Sequence, residues 1–169
     1  TDTWSVLGDL NAPAVSDGGE YAVHGVGGTW GLFPARCVIR DLATDTSTDC
    51  PPGGPGYGTV SLLGVSGNAR HIMYHWNDQS GGGTSGYFVY DLLTGNRRPL
   101  SGTFFGIGVQ HGVSDDGSTV LGIGFGSSFP AMLHDVDAGT STPFPGAPDA
   151  NVAPIGFSPD GRYVAIATD

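Results

Sequence analysis

Two cysteines, five histidines and several closely spaced aspartates are the residues whose types and spacing bear on chemistry. Cys37 and Cys50 are the only cysteines. Such a pair can form a disulfide, help bind a metal or act as a reactive thiol. With no histidine adjacent in sequence, a structural disulfide is the expected use, and two buried free thiols are the bland alternative. The histidines are His24, His71, His75, His111 and His134. His71 and His75 are an even number apart, so an extended chain puts them on one face. Imidazoles there can bind metal or move protons, against the alternative of packed, hydrogen-bonded strand histidines. Asp135-Val136-Asp137-Ala138-Gly139 has the flavour of a calcium loop, with oxygen ligands at alternate positions before a glycine. No glutamate follows to close it, and turn capping by Asp135 and Asp137 explains the pattern without a metal. Asp41, Asp45 and Asp49 read the same way. No metal and no cofactor is expected.

Trp30, Phe33 and Trp76 sit in or beside long Gly-rich stretches. Aromatics so placed can stack on sugars or anchor a peptide, or else cap a core. No catalytic residue emerges. Gly64-Val65-Ser66-Gly67 and Gly156-Phe157-Ser158-Pro159 each fall one glycine short of a nucleophile elbow. The Gly-x-Gly runs at 106–108 and 122–126 lack a following helix, so no dinucleotide site is indicated. With Glu20 the only glutamate, paired-carboxylate glycosidase chemistry would need aspartates, and none has a distinctive setting.

The elements that position these residues repeat. Val15-Ser16-Asp17-Gly18-Gly19, Val65-Ser66-Gly67-Asn68-Ala69, Val113-Ser114-Asp115-Asp116-Gly117 and Phe157-Ser158-Pro159-Asp160-Gly161 each precede a β-type run, and their serines are 50, 48 and 44 residues apart. In the last copy Pro159 pre-sets φ at a turn corner, Asp160 can bond its own backbone, and Gly161 accepts a positive φ. A second landmark is an apolar strand ending in Asp41, Asp91 or Asp135, followed by a short turn and another strand. One unit therefore reads strand, turn, strand, loop, strand, turn, strand: a four-stranded antiparallel meander at the period of a propeller blade. Mirroring about the Ala43-Thr44 turn sets Cys37 opposite Cys50, within disulfide reach for an antiparallel pair.

Ser158-Pro159-Asp160-Gly161 and Asp91-Leu92-Leu93-Thr94-Gly95 resemble the TolB-like or PD40 (WD40-like) repeats of bacterial β-propellers, from about residue 12 to the end of the chain. The expected fold is all-β: a β-propeller, or part of one, as a single domain. Its blades fall at about 12–50, 58–100 and 104–144, with a partial blade at 150–169 and an N-terminal strand at 3–10. The second-to-third-strand loops are expected at 25–34 and 77–86, and the first strand of the third unit at 104–109.

Composition bounds the partners. Gly and Pro number 30 and 12 of 169 residues. They lie between β-type runs rather than in a low-complexity tract, so they mark turns. Net charge is −10 with no lysine, which argues against nucleic acid and anionic membrane surfaces. No apolar run approaches the ~20 residues that span a bilayer. No signal peptide is present, so the segment reads as mature, internal or trimmed. A disulfide implies an oxidising compartment and hence export. The expected function is a non-catalytic ligand- or protein-binding or scaffolding module of an exported bacterial protein. The alternatives are the propeller of an exported serine-peptidase-like hydrolase whose catalytic domain lies elsewhere, and a lectin-like sugar binder using Trp30, Phe33 and Trp76. A second chain or copy that completes the propeller is a further expected partner.

Overall fold

The computed structural model describes residues 11–26, 36–50, 58–78, 86–100, 112–122, 131–144 and 152–168. They form strands and turns, with no helix among them. The first sheet is a meander of β1 (Asn11–Val15), β2 (Tyr21–Val26), β3 (Arg36–Asp41) and β4 (Ser47–Asp49). The second is β5 (Gly58–Val65), β6 (His71–Asp78), β7 (Gly86–Asp91) and β8 (Arg97–Leu100). The third is β9 (Gly112–Val113), β10 (Thr119–Gly122), β11 (Met132–Asp135) and β12 (Thr140–Pro143). A hairpin of β13 (Val152–Phe157) and β14 (Val164–Thr168) follows. All of these pairings are antiparallel, as the repeat predicts.

The repeat extends to irregularities. Register shifts in β1, β5 and β13 fall just before Ala14, Gly64 and Gly156, each two residues ahead of an anchor serine. A bulge sharpens local twist, so three first strands bend at the same place. These strands are neighbours in space: β1 adjoins β5, β5 adjoins β9, and β9 adjoins β13. At the outer edge, Pro99 of β8 and Pro143 of β12 remove ladder donors, which suits strands that end a sheet.

The sheets stack face to face, because period two gives each central strand two apolar faces. From β6, Ile72, Tyr74 and Trp76 face the first sheet, where they meet Val23, Cys37 and Cys50. Met73 faces the third sheet and joins Val89 and Leu100 against Val113, Val120 and Val136. Both cores are built from this alternation.

The Cys37–Cys50 disulfide is formed, with Cα atoms 5.2 Å apart. Val38 pairs with Asp49, Ile39 with Thr48 and Arg40 with Ser47, which is the mirror register expected from sequence. Three expected boundaries move. Gly25 and Val26 belong to β2, and Asn77, Asp78 and Gly86 belong to β6 and β7, so both second-to-third-strand connections are shorter than expected. The segments 104–109 and 3–10 lie outside the described residues.

Candidate functional site

In a meander the first and third turns share one end of the sheet, and the second connection leaves from the other. The turn end is closed by repeated chemistry. Ser66 N–H donates to the His71 carbonyl, and Ala69 N–H to the Ser66 carbonyl. The Ser66 hydroxyl accepts from His71 N–H at 2.9 Å and donates to Asn68 Oδ1 at 2.7 Å. The same bonds recur at Ser114 with Asp116 and at Ser158 with Asp160. Each turn needs a residue at positive φ, namely Gly19 (70°), Ala69 (58°), Gly117 (67°) and Gly161 (68°). Gly67-Asn68-Ala69, which lacks the Asp-Gly pair, makes the same turn because the Asn68 amide oxygen replaces the carboxylate. In the first copy Gly18 stands where the acid belongs, and the Glu20 carboxylate accepts a hydrogen bond from the Ser16 hydroxyl instead, at 3.1 Å.

The second turns are also capped by a side-chain oxygen. Asp41 Oδ1 accepts from Ala43 and Thr44, Asp91 Oδ1 from Leu93 and Thr94, and Asp135 Oδ1 from Asp137 and Ala138. Asp137 pairs with Arg98 at 2.9 Å. Asp135 and Asp137 therefore serve as turn cap and ion-pair partner. The residue after each landmark aspartate also donates to the serine turn beside it: Leu42 to Glu20, Leu92 to Arg70, and Val136 to Ser118.

Between the second and third sheets this end carries a polar network. Asn68 N–H donates to Asp115 Oδ1 at 3.0 Å, and Arg98 Nη2 donates to the Gly117 carbonyl at 2.7 Å. His71, 3% exposed, has Nδ1 2.8 Å from the Asp115 carbonyl and Nε2 3.6 Å from Asp91 Oδ2. Arg70 grips Asp91 through Nε and Nη2, at 3.2 and 2.8 Å. The Arg70 hydrogen bonds hold the Asp91 carboxyl well below the usual carboxylate range, helped by the Leu93 and Thr94 amides and opposed by burial. Burial lowers the His71 pKa, against the Asp115 carbonyl and the Asp91 charge, which raise it. No sequence motif pointed to this network. The visible signal was that His71 occupies the place held by Tyr21, Thr119 and Tyr163 in the other repeats.

At the opposite end, the strands release residues 27–35, 79–85 and 123–131. Trp30 and Phe33 lie outside the described residues, as does His111. Trp76, expected beside a loop, stands in β6 at 5% exposure within the core. His71 and His75 do share the face toward the third sheet, but four residues of strand hold them ~13 Å apart. The His75 ring lies 4.7 Å from that of Tyr87, and burial lowers its pKa. His134 Nδ1 is 2.7 Å from the Ser141 hydroxyl. Tyr74, stacked on Phe88 at 5.5 Å, has a buried hydroxyl without a hydrogen-bond partner among the described residues.

Successive meanders packed side by side, with their first strands adjoining, are also found in solved structures. Putative TolB from Agrobacterium tumefaciens is similar with a TM-score of 0.60 and 23% identity, over 96% of this chain and 55% of that chain. TolB from Acinetobacter baumannii is similar at 0.57 and 21%, over 92% and 37%. The fold is that of a TolB-like β-propeller. The three meanders are its blades and the hairpin is part of a fourth. The chain spans about half of the first TolB and 37% of the second. A prolyl endopeptidase is also similar, at 0.51 and 11%, over 93% of this chain and 25% of that one. At these identities the likeness to the propellers is one of fold. No protein-family model matches the chain, and no curated protein matches it.

Proposed function

We propose that this propeller is a binding or scaffolding module of an exported bacterial protein, meeting a ligand or a protein at the connections after the second strands. One observation carries the reading: the two ends of the blades differ. The turn end uses short connections in which Asp91 Oδ1 and Asp135 Oδ1 accept from turn amides and Asp137 pairs with Arg98. The other end carries a long connection in each blade, raised on paired strands. Loops on a rigid scaffold are where binding residues collect. Trp30 and Phe33 belong to the first of these connections, whereas the Trp76 ring is committed to the core. The Cys37–Cys50 disulfide supports an oxidising compartment.

A photo-crosslinking residue placed at 30 or 81, and as control at 44 or 95, tests the reading in the producing cell. Adducts are expected from 30 and 81 alone. Adducts confined to 44 and 95 would reverse the assignment of ends. A glycan array with the Trp30→Ala variant separates a sugar ligand, for which binding falls, from a protein partner, for which no glycan binds.

A second reading makes the module the propeller of an exported hydrolase. It draws on the similarity to a prolyl endopeptidase. A hydrolase domain encoded beyond Asp169 would favour it, and a second propeller half there would not.

A further inference from the structure

We propose that His71 is a proton-operated latch between the second and third blades, holding the Ser114 turn in place as a neutral imidazole and loosening it when a second proton binds. Position sets His71 apart. The residue five after each anchor serine is Tyr21, His71, Thr119 or Tyr163, so only the second blade puts a group that titrates near neutrality there. Its ring is almost fully buried and lies directly against Gly117, where a Cβ would collide with it. The Asp115 carbonyl can only accept, so Nδ1 carries the proton and Nε2 is left bare.

The charges around the ring come from every packed element. Arg70 lies on its own hairpin, Asp91 on β7, Arg98 on β8, and Asp115 and Asp116 on the third blade's turn. Asp91 is the carboxylate nearest Nε2, but at 3.6 Å it is beyond a good hydrogen bond, and its oxygens already serve Arg70 and two turn amides. A second imidazole proton therefore arrives in a desolvated site flanked by Arg70 and Arg98, facing an Asp91 oxygen that lies beyond a good hydrogen bond and already accepts from Arg70. Relief comes from admitting water, and among the described residues the ring meets the third blade at the 114–118 turn. That turn is tied to the second blade by Asn68, His71 and Arg98.

The sign follows from burial. The folded pKa of His71 lies below its ordinary value near 6.5. The neutral-state hold is complete above that value and is lost as pH falls through the folded pKa. Asp91 and Asp116 stay ionised across this window, since hydrogen bonds keep both carboxyls below the usual range.

Amide exchange of the intact chain between pH 7.5 and 5, corrected for intrinsic rate, tests the latch. Protection of Asn68 and of the 114–118 turn is expected to drop several-fold, and by no more than about tenfold per pH unit, the limit for one proton. The 16–21 turn, with Tyr21 at the same place, should change little. His71→Gln keeps a donor for the Asp115 carbonyl and should remove the pH dependence at the 114–118 turn. Direct NMR titration of the wild-type imidazole provides a check independent of the variant's folding: a midpoint below 6.5 that tracks the Asn68 amide is expected. Unchanged protection across the window, pH dependence that survives in His71→Gln, or a midpoint at or above 6.5 would overturn the latch.

Discussion

A single Cβ has different costs at equivalent places of the serine turn. Gly19 and Gly117 both have φ near +70°, but a Cβ on Gly19 would meet nothing, whereas one on Gly117 would strike the buried His71 ring and Arg98. Gly19→Ala should therefore cost only the left-handed backbone penalty, about 1 kcal/mol. Gly117→Ala should cost upwards of about 3 kcal/mol, because the clash adds to the strain. Urea unfolding of the two variants measures the difference, and equal costs would mean that the His71 ring yields easily. Ala69 carries the same strain natively and is buried. Tyr74 shows the converse, a polar atom that earns no bond. Its hydroxyl is buried and without a partner among the described residues, so Tyr74→Phe should leave stability unchanged or raise it by about 1 kcal/mol. A clear loss in urea unfolding would reveal a bonded hydroxyl.

Two elements hold the hairpins together. The Cys37–Cys50 bridge joins β3 to the residue after β4 and closes a 13-residue separation. Reduction, or replacement of both cysteines by alanine, should cost about 3 kcal/mol in the chain-entropy account. The intact protein should weigh about 2 Da less before reduction than after, two hydrogens being lost when the bond forms. In the second blade, Asp91 ties β7 to Arg70 and to its own turn. Its carboxyl lies below the usual range in the fold, so its contribution is present above an unfolded pKa near 4 and is lost as pH falls through the folded value. Asp91→Asn should lower stability at pH 7 and flatten the acid limb of a stability–pH curve. An unchanged acid limb would assign the pH dependence to other carboxylates.

For the whole molecule the informative strand is β14. In each of the three full blades the second strand is paired on both sides, but among the described residues β14 pairs with β13 alone. Its residues, Val164–Thr168, include no charge and no proline, and such an edge invites pairing. Tyr163 beside it is 68% exposed, whereas His71, its counterpart in the second blade, is buried by the third. A polypeptide of these 169 residues alone should therefore associate with rising concentration, and native mass spectrometry reads this directly. A monomer at every concentration would show that the edge is protected.

The serine turns, the landmark aspartates and the alternation of apolar residues were legible in the chain because turn chemistry and strand period are local. So was the cysteine pairing, since hairpin register follows from the turn between its strands. The local reading erred by a residue or two at the ends of the long connections, where pairing rather than composition ends a strand. Local residue order was enough to fix the unit, its four strands and its all-β class. Folding in three dimensions was needed to show Glu20 in place of a missing aspartate within its own turn, and stacking to put Trp76 in the core and His71 between Asp91 and the next blade's turn. The Trp76 and His71 placements depend on contacts between residues tens of positions apart, and the free energy of such contacts comes from burial that no local pattern encodes.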